Sequence, residues 1–315
     1  MAVSEIPSVV LGSSSGEVKM PVIGMGSAPD FTCKADTKEA IIEAIRQGYR
    51  HFDTASAYGS EAALGEAIKE ALQLGLVPSR QHLFVTSKLW CTNNHPHLVL
   101  PALHNSLRTL QLEYLDLYLI HWPIAAKPGK FAFPIEAEDV VPLDLKGVWA
   151  AIEECQRLGL ARAIGVSNFS VKKLQDLLSF ATIPPAVNQV EMNLAWQQKK
   201  LLGYCREKGI VMTAFSPLRK GASRGPNEAM ESDVVKEIAE ERGKSSAQVC
   251  LRWLCEQGVT FVPKSYNKDR MKQNLHIFDW SLTEDDHRKI SQIKQQRLIQ
   301  GPTKPQLPDL YDDEI

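Results

Sequence analysis

Four side chains with complementary acid–base chemistry lie at or near the ends of three successive strand-like runs. Asp53 ends the first run, and Tyr58 follows five residues later in a loop of small residues. Lys88 and His121 end the next two runs. A phenol is a poor acid at neutral pH unless a cation stabilises its phenolate, and Lys88 can supply that cation. The set therefore predicts that Tyr58 donates a proton to a carbonyl group.

The other members of the set have supporting roles in this chemistry. Asp53 can hold the Lys88 ammonium in an ion pair, and a neutral His121 can hydrogen-bond the carbonyl oxygen and orient it. General acid catalysis of this kind contributes about 10²–10⁴-fold to a rate. Each residue alone also has an ordinary explanation, such as a helix cap for Asp53 or a surface charge for Lys88. Because four complementary groups occur together at successive strand ends, the sequence predicts a reductase.

Strand-like and helix-like segments alternate along the chain. Short apolar runs predict strands, and each is followed by a stretch with apolar residues at helical spacing. The predicted strands are 23–26, 51–55, 83–88, 115–121, 163–167, 186–192, 210–215 and 259–262. The predicted helices are 36–47, 62–74, 98–110, 145–158, 171–180, 197–208, 234–241, 247–256 and 268–277. Gly75, Gly159 and Gly209 end three of these helices, and Ser170 is a candidate cap of another.

This alternation predicts an α/β protein of one domain, residues 1–315, folded as a (β/α)8 TIM barrel. Eight strand–helix units without an internal linker match that architecture better than a doubly wound sheet. Several strands are continuous apolar runs, as expected for strands buried on both faces of a parallel sheet. Residues 1–20, with a turn at 12–16, predict an N-terminal β-hairpin that closes the barrel floor. An extra C-terminal helix at 283–295 and a proline-rich tail at 301–315 lie outside the repeat.

Three longer insertions interrupt the alternation after the third, fourth and seventh predicted strands. They cover residues 90–97, 122–144 and 216–232 and contain prolines and aromatic residues. Each follows the C-terminal end of a strand, which is where barrel enzymes build their active sites. We therefore expect these insertions to form the walls of a pocket.

The composition is that of a soluble globular protein and excludes several classes of function. The formal net charge is −1 and no block of Lys or Arg occurs, so a nucleic-acid partner is not expected. No apolar run approaches the ~18 residues of a membrane span, and no secretory signal is recognisable. Six scattered cysteines without a CxxC pair predict free thiols and a cytoplasmic location. His95 and His97 lack an acidic or thiol partner at suitable spacing, so no metal site is predicted.

The residues named first lie in segments that resemble the signatures of the aldo-keto reductase family. The similarity is collinear from about residue 19 to residue 302 and is carried by segments 49–58, 87–88, 121–123, 165–169 and 262–265. The resemblance implies a (β/α)8 barrel that binds NADPH without a Rossmann domain and transfers hydride to a carbonyl. It makes Tyr58 the proton donor and His121 the orienting group. Asp53 and Lys88 become modulators of the donor.

The resemblance also implies the cofactor contacts. Ser167, Asn168 and Gln189 match the positions that hydrogen-bond the carboxamide of the nicotinamide, and Phe215 matches the aromatic residue that stacks on that ring. Gly26, Ser27 and Asp53 are further cofactor-binding residues. The remaining residues are Ser216 and Leu218 for the pyrophosphate, Lys264, Ser265 and Arg270 for the adenosine 2′-phosphate, and Gln273 and Asn274 near the adenine. Two cations on one phosphate favour NADPH over NADH. A solvated basic loop is the ordinary alternative for that segment.

The chain departs from the family pattern in two places. Ser60 stands after the glycine that follows Tyr58, where many members have asparagine, and we expect this change to matter little. Residues 26–29 stand where many relatives have an aromatic residue that lines the pocket, which indicates a roomier site. Segment 24–29 also imitates a dinucleotide-binding loop, but it lacks the third glycine of that motif.

One branch of the family, the legume chalcone reductases or 6′-deoxychalcone synthases, is especially similar. The segments that resemble it are 25–33, 127–131, 193–200, 219–228, 302–305 and 311–315. The resemblance implies reduction of a coumaroyl polyketide intermediate of chalcone synthase, which leads to a 6′-deoxychalcone (isoliquiritigenin) in flavonoid biosynthesis. Trp90, His121, Trp122 and Phe131 are then the substrate residues.

Other functions and partners stay open from the sequence. Related plant reductases act on alkaloid ketones, and aromatic pocket walls suit such ketones equally well. A non-catalytic barrel that binds NADPH as a sensor, or that serves as a scaffold for chalcone synthase, is a further alternative. The resemblance favours a monomer with a small-molecule ketone substrate, and transient contact with chalcone synthase is a further expectation.

Overall fold

The computed structural model describes residues 6–12, 17–28, 37–129, 131–219 and 230–312. Parts of several segments discussed above lie outside these ranges. They include the tip of the predicted N-terminal hairpin, Cys33 with most of segment 25–33, ten residues of the third insertion and the last three residues of the chain.

Strands and helices alternate in the described part of the chain as the sequence predicts. The strands are β1 (Ser8–Leu11), β2 (Val18–Pro21), β3 (Met25–Gly26), β4 (His51–Asp53), β5 (Phe84–Leu89), β6 (Leu115–Ile120), β7 (Ala125–Ala126), β8 (Ile135–Glu136), β9 (Val140–Val141), β10 (Ala161–Ser167), β11 (Val187–Glu191), β12 (Val211–Phe215), β13 (Thr260–Phe261) and β14 (Thr303–Lys304). The helices are α1 (Thr37–Gln47), α2 (Glu61–Gln73), α3 (Pro96–Leu110), α4 (Leu145–Arg157), α5 (Val171–Phe180), α6 (Lys199–Glu207), α7 (Asp233–Arg242), α8 (Ser246–Glu256), α9 (Lys268–Leu275) and α10 (Glu284–Ser291).

A closed parallel barrel forms the centre of the molecule. Eight strands pair in the order β3–β4–β5–β6–β10–β11–β12–β13, and all of these pairs are parallel. A bridge between Ile23 and Phe261 joins the two edges: Gly24 donates to the Phe261 carbonyl at 2.9 Å, and Phe261 donates to the Val22 carbonyl at 2.8 Å. The predicted (β/α)8 barrel is therefore confirmed.

The barrel strands are buried on both faces because side chains alternate between the interior and the surrounding helices. Every residue of β5 and of β6 is buried, the polar residues Thr86, Ser87, Lys88 and Asp116 included, so exposed and buried positions do not alternate along these strands. The helices show the expected end signals. Ser170 accepts a hydrogen bond from the Lys173 amide at 3.2 Å and so caps α5, and Gly159 follows α4 with a φ of 73°.

The N-terminal hairpin covers the floor of the barrel. β1 and β2 pair antiparallel, and Leu11 and Met20 pack against Phe84 and Leu117 at the N-terminal ends of the strands. This position confirms the predicted hairpin strands and leaves the opposite rim, at the strand C-termini, open for a site.

The C-terminal segment differs most from the prediction. The predicted helix 283–295 ends four residues early, because the chain leaves the helix to bind the barrel: the Gln296 amide donates to the Ala195 carbonyl at 2.6 Å. Beyond it, β14 pairs with β8, so the tail is tied to the second insertion. None of the helices in the described ranges has the length and apolar character needed to cross a bilayer.

Candidate active site

The four predicted catalytic residues meet at the open rim of the barrel. Asp53 is the last residue of β4, Lys88 lies one residue before the end of β5, and His121 directly follows β6. These strands are hydrogen-bonded neighbours in register, so their C-terminal ends meet at one edge. Tyr58 reaches the same point from a single 3₁₀ turn, Ser56–Tyr58, that follows β4.

A buried ion pair forms the base of the site. The Lys88 ammonium donates to Asp53 Oδ1 at 2.7 Å and to the Thr54 carbonyl at 2.9 Å, and the Lys88 side chain is 0% exposed. Burial lowers the pKa of Lys88, but the Asp53 carboxylate and the Tyr58 phenol raise it, and the net shift is upward. Lys88 is therefore a permanent cation at neutral pH. Gln189 donates to the second Asp53 oxygen at 2.7 Å, so the carboxylate has two partners.

Tyr58 lies between this ion pair and His121. Its hydroxyl is 3.3 Å from His121 Nε2, and the Lys88 ammonium is 4.8 Å from its ring centroid. Burial raises the pKa of the phenol, the Lys88 ammonium opposes that shift, and the net direction is upward. In this state the cation moderates the effect of burial but does not outweigh it. Tyr58 therefore carries its proton across the neutral range, as a proton donor must.

His121 is held neutral at the rim. Burial is the main cause that lowers its pKa well below 6.5, and the Lys88 charge adds to the effect. Its ring packs edge-to-face against Tyr58 and Trp90, with centroids 5.4 and 5.2 Å away. Nδ1 is buried without a hydrogen-bond partner among the described residues. A neutral imidazole with its proton on Nε2 can donate to a carbonyl oxygen placed beside the Tyr58 hydroxyl.

The predicted carboxamide-binding residues form one buried network with the ion pair. Asn168, in the left-handed conformation with φ 64°, donates from Nδ2 to the His121 carbonyl at 2.9 Å and to Ser167 Oγ at 3.0 Å. Ser167 Oγ donates in turn to the Gln189 carbonyl at 2.7 Å. Gln189 then links this network to Asp53 through its side-chain amide. The structure thus brings these three residues beside the predicted catalytic group.

Gly26 and Ser27 enter the site from the first barrel strand. A Cβ on Gly26 would lie 2.7 Å from the Val262 carbonyl oxygen, so only glycine allows the close approach of the two strands there. Ser27 donates through Oγ to the Asp53 carbonyl at 2.8 Å. Gly26 is also the partner of Asp53 in the β3–β4 pairing, so both residues are adjacent to the ion pair.

The loop after β12 adds a residue that the sequence reasoning did not single out. Phe215 ends β12, and Ser216 and Leu218 follow in the same turn. Arg219 completes the turn with a φ of 50°, and its Nη1 is buried without a hydrogen-bond partner among the described residues. A guanidinium N–H without a partner fits an anion such as a pyrophosphate. The sequence signal was the arginine directly after Ser-Pro-Leu.

The predicted phosphate clamp follows β13 at the same rim of the barrel and is partly exposed. The Lys264 ammonium lies 4.9 Å from the Tyr266 ring centroid, and Arg270 is exposed in the first turn of α9. Ser265 is half-buried, and Gln273 is exposed one turn further along α9. This set of cations and polar groups beside a helix N-terminus has the chemistry to hold a phosphate.

Asn274 differs from Gln273, the other residue predicted near the adenine. It is only 3% exposed and lies beside the buried Tyr49, whose hydroxyl donates to the Met271 carbonyl at 3.0 Å. The helix turns the Asn274 amide toward the interior because Asn274 shares its face with the buried Met271 and Leu275. Asn274 is therefore less accessible than Gln273, and its place near the adenine stays a prediction.

Aromatic side chains form one wall of the rim. Trp90 and Trp122 are buried, whereas Phe131 is 56% exposed and lies 5.4 Å from Trp90 between ring centroids. The structure adds Phe133, which was not predicted: it is 58% exposed, with its ring centroid 6.3 Å from Trp90. The alternation of two phenylalanines in the second insertion was the available signal.

A buried carboxylate that the sequence did not reveal ties the C-terminal tail to the rim. Glu191, at the end of β11, accepts hydrogen bonds from the Leu298 amide at 3.1 Å and from the Ile299 amide at 2.7 Å. Burial raises the pKa of Glu191, and these backbone donors only partly offset the shift. Arg297 stacks between Trp196 and Tyr311 beside this contact.

The described residues hold no cluster of His, Cys, Asp and Glu suited to a metal ion.

Comparison with known proteins gives the same picture. The sequence profile described as "Aldo/keto reductase family" matches residues 22–295. The chain is 76% identical over 314 residues to an NAD(P)H-dependent 6′-deoxychalcone synthase of Glycine max, an alignment that spans 100% of this chain and 99% of that protein.

More distant similarities point to the same family. The chain is 54% identical to NADPH-dependent codeinone reductase 1-4 of Papaver somniferum, with 95% of each chain covered. It is 53% identical to deoxymugineic acid synthase 1-A of Triticum aestivum, over 94% of this chain and 97% of that protein. Among solved structures, the aldose reductase of Schistosoma japonicum superposes with a TM-score of 0.83 at 33% identity, covering 90% of this chain and 91% of the other.

Proposed function

We propose, from the premise that this chain belongs to the aldo/keto reductase family, that it reduces a coumaroyl polyketide intermediate of chalcone synthase with NADPH. The product of this reduction leads to a 6′-deoxychalcone such as isoliquiritigenin. The observation that carries the proposal is the 76% identity, end to end, to the 6′-deoxychalcone synthase of Glycine max. The identity is 53% to deoxymugineic acid synthase 1-A and 54% to codeinone reductase 1-4, whose named activities differ.

The described residues fit NADPH. The unpartnered Arg219 Nη1 suits the pyrophosphate, and the Lys264 and Arg270 cations suit a 2′-phosphate. Asn168 and Gln189 offer amide groups for a carboxamide at the rim. When bound, NADPH supplies the hydride that adds to the carbonyl carbon.

The protein's own residues supply the proton. A substrate oxygen that lies between the Tyr58 hydroxyl and His121 Nε2 accepts a hydrogen bond from each. As the carbonyl becomes an alcohol, the Tyr58 O–H bond breaks and the new alcohol O–H bond forms. The resulting phenolate lies beside the Lys88 ammonium, which Asp53 holds in place. Stabilising the phenolate lowers the barrier to proton transfer.

The aromatic wall supports a flat, phenolic substrate. Trp90 with Phe131 and Phe133 provides apolar ring faces next to His121. Ring faces of this kind stack well on planar aromatic molecules.

The test is a coupled reaction with chalcone synthase, coumaroyl-CoA, malonyl-CoA and NADPH, with the chalcone products resolved. We expect a 6′-deoxychalcone from the wild type, and none from Tyr58→Phe, which lacks only the donor hydroxyl. Tyr204→Phe is the matched control, because Tyr204 lies on α6 away from the rim. Formation of only the hydroxylated chalcone, with reduction of simple ketones intact, would refute the proposed substrate.

A ketone of another class, such as an alkaloid ketone, is the second candidate. The 54% identity to codeinone reductase 1-4 supports it. Turnover of alkaloid ketones together with absence of the deoxychalcone selects this candidate. NADPH binding without reduction of any carbonyl compound would instead indicate a non-catalytic binding protein.

The setting of the reaction is also part of the proposal. We infer a cytoplasmic monomer that meets chalcone synthase only transiently. The cysteines that the structure describes are free thiols, all buried except the half-buried Cys255. Free thiols of this kind support a reducing compartment. Sedimentation of the protein alone and with chalcone synthase tests the state of assembly, and a stable dimer or a stable complex would contradict it.

A further inference from the structure

Helix α2 begins after a serine that does not cap it. A serine at this position normally accepts a hydrogen bond from a backbone amide in the first turn, which contributes about 0.5–2 kcal/mol. Ser60 makes no such bond. Its hydroxyl lies instead 2.8 Å from Ser27 Oγ and 2.8 Å from Thr54 Oγ1, and all three side chains are buried. The Ser60 hydroxyl therefore bonds side chains of the site instead of the first turn of α2.

The three hydroxyls form a chain with one possible direction. Ser27 Oγ donates its only proton to the Asp53 carbonyl at 2.8 Å, because a carbonyl can only accept. Ser60 must therefore donate to Ser27, and Thr54 must donate to Ser60. The chain runs from the Thr54 hydroxyl to the Asp53 backbone oxygen.

This chain closes a ring with the ion pair. The residues at its two ends, Thr54 and Asp53, also provide both acceptors of Lys88: the Thr54 carbonyl at 2.9 Å and Asp53 Oδ1 at 2.7 Å. An ammonium has three N–H groups, so two are used here and one is left. The ammonium lies 4.8 Å from the centroid of the Tyr58 ring, so the third N–H group can point toward Tyr58.

We propose that Ser60 is a positioning residue for the proton donor. Its hydroxyl fixes the backbone of Asp53 and Thr54, which fixes the Lys88 ammonium and so aims the remaining N–H at Tyr58. The expectation from sequence that Ser60 matters little is replaced by a specific role. The inference rests on the proposed function only in taking carbonyl reduction as the reaction that Tyr58 serves.

The first test compares Ser60→Ala with Ser60→Thr, which keeps the hydroxyl. With a simple ketone and NADPH, we expect Ser60→Ala to lower kcat by about 5–50-fold with KM unchanged, because a small misplacement of a catalytic group has a large effect on rate. If the Lys88 ammonium is positioned less precisely, it stabilises the Tyr58 phenolate less. The pKa of Tyr58 then rises, and the decrease in kcat at high pH shifts to higher pH. Ser60→Thr is expected to restore both properties.

Two further variants separate positioning from stability. Thr54→Val keeps the side-chain shape but removes the first donor of the chain, and we expect it to reproduce the effects of Ser60→Ala without adding to them in the double variant. Thr283→Ala is the matched control, because Thr283 caps α10 in a capping box and its partners, Asp286 and Arg242, belong to neither the catalytic nor the predicted cofactor set. It is expected to lower the melting temperature while leaving kcat and its pH dependence unchanged.

A readout that does not need turnover keeps this inference distinct from the proposed function. The ionisation of Tyr58 can be followed by the ultraviolet absorbance of the phenolate, with the same titration of Tyr58→Phe subtracted. An upward shift of the Tyr58 pKa in Ser60→Ala supports the proposal even if the wild type rejects the polyketide substrate. Wild-type kcat and an unshifted titration in Ser60→Ala, or failure of Ser60→Thr to restore them, would overturn it.

Discussion

Removing the cation beneath Tyr58 separates what the buried ion pair does for stability from what it does for catalysis. In Lys88→Met the side chain keeps its approximate volume and loses its charge. Because Lys88 is 0% and Asp53 5% exposed, the Asp53 carboxylate then stays buried with Gln189 as its side-chain partner. Leaving one charge of a buried pair uncompensated costs about 3–5 kcal/mol in the free energy of unfolding. That is a large part of the ~5–15 kcal/mol that holds a typical protein folded.

The double variant Asp53→Asn with Lys88→Met removes both charges together. We expect it to recover most of the lost stability, because the uncompensated carboxylate no longer exists and the asparagine oxygen can still accept from Gln189. Catalysis should not recover. Both variants lose the cation that stabilises the Tyr58 phenolate, so we expect kcat to fall by about 10²–10⁴-fold in each.

The assays are urea unfolding for stability and NADPH-dependent reduction of a simple ketone for kcat, with cofactor binding measured by fluorescence to verify the folded site. Wild-type kcat in either variant would show that Tyr58 needs no cation. Equal stability of the single and double variants would show that Asp53 is not the buried, charged partner described here.

Three further predictions concern pH and cofactor binding. The kcat for ketone reduction should stay constant near neutral pH, because His121 is neutral there. It should decrease only above the ordinary phenol pKa of 10.0, because burial raises the pKa of Tyr58. A decrease in kcat centred near pH 7 would contradict this. Burial lowers the pKa of His51 to about 4 from 6.5, so the unfolded chain takes up this proton first as the pH falls. Stability should then decrease between pH 6.5 and about 4, by on the order of 3 kcal/mol, and His51→Gln should lose less over that interval in urea titrations; an equal loss in the variant refutes the assignment. In fluorescence titrations, Lys264→Ala should weaken NADPH binding about 10–100-fold and NADH binding little. Arg219→Ala should weaken the binding of both cofactors, because both contain the pyrophosphate. If Lys264→Ala weakened NADPH and NADH binding equally, that result would argue against a 2′-phosphate clamp.

The expectation for the cofactor loop shows how far local sequence can be taken. The resemblance to the family assigned Lys264 and Arg270 to one phosphate, and the local pattern adds only that Lys264 follows a predicted strand and Arg270 lies near the start of a predicted helix. Asn274 could not be placed in the same way. Whether a side chain on α9 faces outward or toward Tyr49 depends on how the helix packs, which its own sequence does not specify.

The site itself divides along the same line. Hydrophobic periodicity is local, so the sequence alone determined the alternation of strands and helices, and with it the rim at which Asp53, Lys88 and His121 must meet. The distances between groups from remote parts of the chain are set by tertiary packing. The 3.3 Å between Tyr58 and His121 is one such distance, and the 2.8 Å between Ser27 and Ser60 is another. Only the folded barrel determines these distances. Closing the strands into a barrel brings together residues that are far apart in the sequence, and local sequence patterns do not specify which of them come into contact.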